Sequence, residues 1–426
     1  MKKIFIKDIK KSRLKEIRVV GWVHDYRDLK KNKFIVLRDS TGSVQCIIKD
    51  ENLFNKFKEI SFESVIEVYG VLKKAKIKSE FVDIKDKEIE VKDLKILEKA
   101  ERIPIPIKDK IETSMNKRID FRYLDIRKPE VASIFKIQST IVNSFREFFL
   151  KEGFIEIQPP CIIATATEGG TELFKVEYFE KEAYLAQSPQ LYKQLMAISL
   201  EKVFCVTPVW RAEKHNTTRH LNELRQMDIE VAFCNDFDAM KLLEKCLFYI
   251  VKMINKKNKR EIDLINKKVV LNKPKYISYE KAIEVLKDNG INIEYGQDFF
   301  PEAERKICEI FNNSPIFIHS WPLSLKPFYI MPKDDEISLG FDVLMNGIEI
   351  SSGGQRINNY EILIKRMKEK NLNPKNFEFY LDAFKYGAPI HSGWSIGLER
   401  LTMALLNLEN IREACLFPRD RERITP

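Results

Sequence analysis

Thirteen residues, RAEKHNTTRHLNE from Arg211 to Glu223, hold two arginines, a lysine, two histidines and two glutamates directly after an apolar run that reads as a strand. Such a loop cannot be buried without a partner for every charge, because an ion taken out of water loses its hydration and must be compensated. On composition alone it reads more readily as a solvated hairpin tip than as a site. Arg211 nevertheless stands at the strand end, where a rigid element can hold a guanidinium two-pronged against a phosphate or a carboxylate. The chain contains neither G-x-G-x-x-G nor G-x-x-x-x-G-K-[ST]. Any use of ATP must therefore proceed without a Rossmann turn or a P-loop.

Other chemistries find little support. The seven cysteines are odd in number, scattered and without a C-x-x-C pair, so neither a disulfide framework nor a thiolate zinc site is indicated. His215 and His220 lie five apart in a polar loop, which is not a metal-pair spacing. No apolar run approaches the roughly 20 residues needed to span a bilayer. The basic start, MKKIFIKDIKKSRLKE, interrupts its apolar residues with lysine and aspartate and so lacks the core of a signal peptide. A cytoplasmic address is expected.

The elements that must position the charged loop can be read from periodicity. From Arg18, RVVGWVHDYRD, KFIVLRDSTGSVQCIIKD, SVIEVYGVLKKAK and SEFVDIKDKEIEVKDLKIL alternate apolar and polar residues, with a DSTG turn after Asp39; about five short strands are expected. Residues 1–105 carry 26 Lys/Arg against 18 Asp/Glu, whereas the whole chain is only +10. A basic small barrel with interspersed aromatics fits an OB-type fold that binds a polyanion such as single-stranded nucleic acid, although other small barrels give the same strand pattern. The proline-punctuated stretch 101–118 reads as an extended linker. After it, PEVASIFKIQSTIVNSFREFFLKEGF (129–154) reads as a long amphipathic helix. Strands and helices then intermix without βαβ alternation, which points to an α+β domain on an antiparallel sheet flanked by helices. The expected domains are residues 1–103, a connecting segment 104–128, and 129–426.

With these elements in place, a family resemblance becomes specific. The RAEKHNTTRHLNE string resembles motif 2 of class II aminoacyl-tRNA synthetases, GWSIGLERL (393–401) resembles motif 3, and the helix leading into EGFIEIQPP (152–160) resembles motif 1. TATEGGTELF (165–174), AQSPQLYKQ (186–194), EISSGGQR (349–356) and LFPRDRERITP resemble the aspartyl-tRNA synthetases of archaeal and eukaryotic type. The resemblance spans essentially the entire chain. It implies ATP-dependent activation of L-aspartate followed by transfer to the 3′ end of tRNA, catalysed by placed cations and Mg2+ rather than by a nucleophilic side chain. It also implies a homodimer built on the motif 1 helix and Pro160.

Residue by residue, the resemblance places Arg211 and Arg400 as the catalytic cations. Arg211, Glu213, Arg219, His220, Leu221, Glu349, Gly397 and Arg400 fall on the ATP-binding positions. Glu168, Gln190, Lys193, Arg211, Ser352 and Arg356 fall on the aspartate-binding ones, Lys193 and Arg356 meeting the side-chain carboxylate. Glu349 and Ser352 match the magnesium-linked positions, oxygen ligands suited to a hard cation. A cation pair without an anion is costly to bury, so the pocket is expected to reject asparagine. In asparagine-specific relatives the position of Lys193 is acidic.

Phe34 and Gln45 match the contacts to the middle anticodon base. His24 matches a position that is Trp in strict and His in relaxed enzymes; Lys76 matches one that is Lys in strict and Pro in relaxed enzymes. The His24 match is ungapped, and it leads to the expectation that tRNA(Asn) is charged as well as tRNA(Asp), upstream of an Asp-tRNA(Asn) amidotransferase. The rivals are a strictly discriminating enzyme, an asparaginyl-tRNA synthetase, a tRNA-independent asparagine synthetase, which would lack the barrel, and a non-catalytic RNA-binding paralogue. The last would have lost one of Arg211, Glu349, Arg356 or Arg400, and all four are present.

Overall fold

A computed structural model of the chain describes residues 3–108, 112–165, 173–214 and 216–426. It divides into two compact units, Met1–Phe121 and Arg122–Pro426.

In the first unit β1 (Glu16–Asp28), β2 (Lys33–Asp39), β3 (Gly42–Ile48), β4 (Val65–Lys74) and β5 (Lys87–Glu98) close a barrel in the order β1-β2-β3-β5-β4. The two-residue side-chain period decides what faces inward. Ile35 and Leu37 of β2, with Val44, Cys46 and Ile48 of β3, enter the core, joined by Phe57 from α1 (Phe54–Lys58). The β2–β3 turn is held by Asp39, whose Oδ1 accepts from the Thr41 and Gly42 backbone N–H groups at 2.7 and 3.1 Å. This is the closed five-stranded barrel expected from the strand pattern, of the OB type to which the family resemblance narrowed it. Ile105 and Ile107, each directly following a proline of the connecting segment, are buried. Residues expected to stay extended turn helical at α2 (Met115–Asp120), beyond the reach of Pro104 and Pro106; α3 (Arg122–Asp125) follows in the second unit.

The second unit is built on an eight-stranded sheet. In chain order the strands are β6 (Ile155–Glu156), β10 (Lys202–Trp210), β11 (Glu223–Ala232), β12 (Lys275–Ser278), β13 (Ile316–His319), β14 (Gly340–Met345), β15 (Ile348–Gln355) and β16 (His391–Gly397). Between β6 and β10, β7 (Ile162–Ile163), β8 (Lys175–Tyr178) and β9 (Lys181–Leu185) form a small separate sheet. The large sheet runs β12-β13-β14-β15-β16-β11-β10-β6. It is antiparallel through its middle, as expected, but parallel at both ends, β12 with β13 and β6 with β10. The parallel end at β13 follows from the connection: α8 (Tyr279–Asp288) and α9 (Pro301–Ile310) form a helical crossover, which returns the chain in the same direction.

One face of the sheet is covered by α4 (Pro129–Lys151), α6 (Asp236–Lys257) and α12 (Leu398–Leu406), with α7 (Lys259–Leu264) against α4. α4 buries Ile134, Ile137, Ile141, Phe145 and Phe149 at three- and four-residue spacing, on Met227, Ile229, Trp394 and Ile396 of the sheet. The opposite face is polar and carries α5 (Gln190–Leu200). α10 (Tyr360–Glu369) and α11 (Glu378–Leu381) share a smaller core with Leu191 of α5. Among the described residues no helix is long and apolar enough to cross a membrane. All seven cysteines are free thiols.

Candidate active site

Strand alternation creates the site. β11 sends Met227, Ile229 and Val231 into the helix-side core, which leaves Gln226, Asp228 and Glu230 on the opposite face. All three are buried. Asp228 and Glu230 meet two cations from elsewhere in the chain. Lys193 Nζ donates to Asp228 Oδ1 at 2.8 Å and lies 3.6 Å from Glu230 Oε2. Arg356 Nε and one terminal nitrogen donate to the two oxygens of Glu230 at 2.9 and 3.3 Å. Burial pushes the Asp228 carboxyl up despite Lys193. At Glu230 burial acts in the same sense, but Arg356 and Lys193 outweigh it and hold the carboxyl below its usual range.

This array corrects the sequence argument about asparagine. Lys193 and Arg356 are not a cation pair awaiting an anion: two acids already balance them. Asp228 and Glu230 stand in MDIEVAF as two acids at alternate positions of an apolar strand, a pattern that in the sequence alone points no further than to a strand. The glycine of motif 3 serves the same array. A Cβ at Gly393 would stand 2.1 Å from Glu230 Oε2, so only glycine lets the carboxylate lie against that strand.

Behind the cations runs a neutral chain. Gln190 Nε2 and the Tyr380 hydroxyl both donate to Gln194 Oε1, at 2.9 and 3.0 Å. His391 Nδ1 faces the Pro389 carbonyl at 2.9 Å, so that nitrogen donates and Nε2 accepts from the Gln194 amide at 2.9 Å. Burial lowers the pKa of His391, in keeping with a neutral ring.

Beside this cluster lies a cavity of about 90 Å³ lined by Arg211, Glu213, Arg219, His220, Leu221, Gln226, Glu349, Ser352, Gly397 and Arg400. Every residue that the resemblance assigns to ATP is in that wall. Gln190, Lys193 and Arg356 lie in the buried cluster instead, and Glu168 falls outside the described residues. Arg211 closes its hairpin through the backbone, its N–H donating to the Asn222 carbonyl at 2.9 Å. Asn222 Nδ2 in turn donates to the carbonyls of Arg211 and Glu213 at 2.7 and 2.9 Å. The Arg211 guanidinium itself has no protein partner among the described residues. Arg400 donates to the Glu349 carbonyl at 3.2 Å.

The loop is braced from the far end of the chain. Arg412 donates to the Thr217 carbonyl at 3.0 Å and to Asn216 Oδ1 at 2.6 Å, while Asp420 holds it at 2.7 Å. The Asn222 N–H donates to the Arg419 carbonyl at 2.8 Å, and that of Ile411 to the Thr218 carbonyl at 2.9 Å.

Glu349 and Ser352 sit on β15, and Ser352 pairs across the ladder with Asp342 of β14. Burial, with Asp342 next in weight, pushes the Glu349 carboxyl up to about 7. Asp342 gives one oxygen to Lys326 at 2.5 Å, while its buried Oδ1 has no hydrogen-bond partner. Two carboxylates crowded together, one with an orphaned oxygen, fit a divalent cation. Among the described residues no three His, Cys, Asp or Glu side chains form a metal cage. A hard cation such as Mg2+ is usually held by one or two carboxylates together with substrate phosphates.

Glu399, at the start of α12, is buried and accepts the Arg225 N–H at 3.1 Å. Burial pushes its carboxyl up to about 7, from an ordinary value of 4.5. The folded chain therefore binds an extra proton between these pH values, and stability falls as pH rises across that window. Glu399→Gln keeps the acceptor without the charge. Wild type is expected to lose on the order of 1–3 kcal/mol relative to this variant between about pH 5 and about pH 8. Thermal melts of both proteins at the two pH values measure it, and parallel losses would refute it.

In the barrel, Phe34 and Gln45 project from the outer face, on the registers opposite Ile47 and Val36, so Phe34 is not a core residue. Gln45 Nε2 donates to Glu88 at 2.8 Å. His24 is buried, with Nδ1 unpartnered and its ring 5.8 Å from that of Phe81. Phe81 and the exposed Lys76 both belong to the β4–β5 connection.

Residues 114–421 match the model for tRNA synthetases class II (D, K and N), and residues 17–97 match that for the OB-fold nucleic acid binding domain. The chain belongs to the class II tRNA synthetases of the D, K and N group. An aspartate–tRNA(Asp/Asn) ligase of Methanopyrus kandleri is 43% identical over 419 residues, 96% of each chain. An aspartate–tRNA(Asp) ligase of Pyrococcus furiosus is 44% identical over 432 residues, covering 97% of this chain and 96% of the relative. Among solved structures, asparaginyl-tRNA synthetase from Pyrococcus horikoshii with asparaginyl-adenylate superposes with a TM-score of 0.92 at 35% identity, covering 100% of both chains.

Proposed function

We propose that the chain is an aspartate–tRNA ligase that joins L-aspartate to ATP as aspartyl-adenylate and passes the acyl group to tRNA(Asp) and also to tRNA(Asn). The observation that carries the amino-acid choice is the buried Lys193–Asp228–Glu230–Arg356 array beside the cavity. A side-chain carboxylate laid against Lys193 and Arg356 accepts from both. Asparagine turns an NH2 donor toward groups that can only donate, and that mismatch replaces charge balance as the reason for rejecting it.

In this reading Arg211 spans the α-phosphate and the substrate carboxylate, with Gln190 and Glu168 at the backbone end. Glu213 and Arg219 to Leu221 hold the nucleotide, and Arg400 above Gly397 grips its far end. Glu349 and Ser352, joined by Asp342, hold Mg2+, which neutralises phosphate charge when bound. The cations of the chain's own cavity are placed before the reaction, so negative charge developing on the phosphate oxygens meets groups that need not reorganise.

On the tRNA side, Phe34 offers a stacking face and Gln45 an amide edge to the middle anticodon base. The relatives named for Asp/Asn and for Asp alone are equally similar to this chain, at 43 and 44% identity, so overall similarity does not choose between them. His24 favours the relaxed reading, in which an amidotransferase uses the Asp-tRNA(Asn) product, while Lys76 favours the strict one. Exposed Leu150, Ile155 and Ile162 around Pro160 support a homodimer on the motif 1 helix; sedimentation at the 50.1 kDa monomer mass would contradict it.

The test is pyrophosphate exchange followed by charging of transcripts. Exchange is expected with aspartate and not with asparagine, and aspartate is expected on both tRNA(Asp) and tRNA(Asn). Negligible product on tRNA(Asn) would sink the relaxed specificity, and exchange with asparagine would sink the amino-acid assignment.

A further inference from the structure

The strongest unassigned feature of the cavity lies just behind its wall. Arg219 donates to Glu304 Oε2 at 2.7 Å, and both side chains are largely buried, at 16 and 15% exposure. Arg219 lines the cavity and Glu304 does not. The carboxylate takes one terminal nitrogen of the guanidinium, and the remaining nitrogens have no protein partner among the described residues. Glu304 also stands within electrostatic reach of Arg400.

Its position is fixed from outside the three family motifs. Glu304 lies in the first turns of α9, part of the crossover between β12 and β13, and α9 buries Ala303, Ile307 and Cys308. Against the next residue along, the β14–β15 turn comes so close that a Cβ at Gly347 would stand 2.7 Å from Arg305 Cγ, and Gly347 has φ +74°. Only glycine satisfies both demands. The same turn leads two residues on to Glu349. α9 is thereby seated against the strand pair that carries Glu349 of the cavity wall.

We propose that Glu304 is a positioning residue for the nucleotide. By holding one edge of Arg219 from behind, it aims the other edge at the terminal phosphates of ATP. This rests on the reading that ATP occupies the cavity. A guanidinium on a long flexible stem loses less freedom on binding phosphate when a carboxylate has already fixed its plane, so the contribution falls on ATP affinity.

Pyrophosphate exchange by the full chain, with ATP and aspartate varied separately, tests it in Glu304→Gln, Arg219→Ala and the double variant. Glu304→Gln is expected to raise KM for ATP about tenfold and to leave kcat and KM for aspartate within about twofold, the signature of a contact to one substrate. In the Arg219→Ala background it is expected to add nothing, because Glu304 acts through Arg219. Three results would overturn the proposal while leaving ATP in the cavity: an unchanged KM for ATP in Glu304→Gln, a lowered one, which would make Glu304 a competitor of the phosphates, or additive effects in the double variant. An unchanged KM for ATP in Arg219→Ala would overturn the nucleotide reading as well.

Discussion

Lys193→Met is expected to cost both activity and stability, and to cost more stability at high pH than at low. The side chain is 1% exposed and is the cation nearest Asp228. Methionine fills a similar volume but leaves Asp228, among the described residues, with only the Ser395 hydroxyl, at 3.4 Å. Breaking a buried pair from one side costs about 3–5 kcal/mol while the remaining group stays charged. Asp228 has an escape, since burial already pushes its carboxyl up and loss of Lys193 pushes it further. Once protonated it needs no counter-ion. The destabilisation should therefore be largest above neutral pH and shrink as the solution is acidified. Aspartate activation should fall on the order of 10²–10³-fold, the consequence of removing a charged partner worth some 3–4 kcal/mol. Melting curves at two pH values and pyrophosphate exchange measure the two effects. A melting temperature equal to wild type at high pH would show that Lys193 does not compensate Asp228.

Arg211→Lys is expected to show the reverse pattern, a large loss of rate without loss of stability. The Arg211 guanidinium has no protein partner among the described residues, and its hairpin is closed by backbone and Asn222 contacts that lysine leaves intact. Lysine keeps the charge but not the planar fork that spans two oxygens. The kcat of exchange should fall on the order of 10²-fold, as when one transition-state donor is removed, with the melting temperature unchanged within about 1 °C. A lowered melting temperature would mean that Arg211 braces the fold, and an unchanged kcat would remove it from the reacting phosphate.

The sequence was most legible where a local pattern sufficed. Alternation in KFIVLRD and SVQCII announced the barrel strands, and the spacing of Ile134, Ile137, Ile141 and Phe145 announced α4. The cavity wall was legible through motif resemblance, because Arg211, Glu349 and Arg400 are each recognisable within a short string. What escaped depends on contacts far apart in the chain. Nothing local pairs Asp228 with Lys193, 35 residues away, or Arg356 with Glu230, 126 residues away. Asp342 was hidden in an ordinary strand and Glu304 in an ordinary amphipathic helix. The parallel ends of the sheet escaped because direction is set by connections, which strand periodicity does not report.

The bracing of the charged loop has a bearing on the order in which the molecule is made. Thr217, Thr218 and Asn222 take hydrogen bonds from or give them to Arg412, Ile411 and Arg419, nearly two hundred residues later in the chain. Synthesis runs from the N-terminus, so the barrel and most of the sheet are complete while this loop still lacks its supports. A nascent chain can fold its barrel early, whereas the charged loop gains these supports only once residues 411–420 have been made.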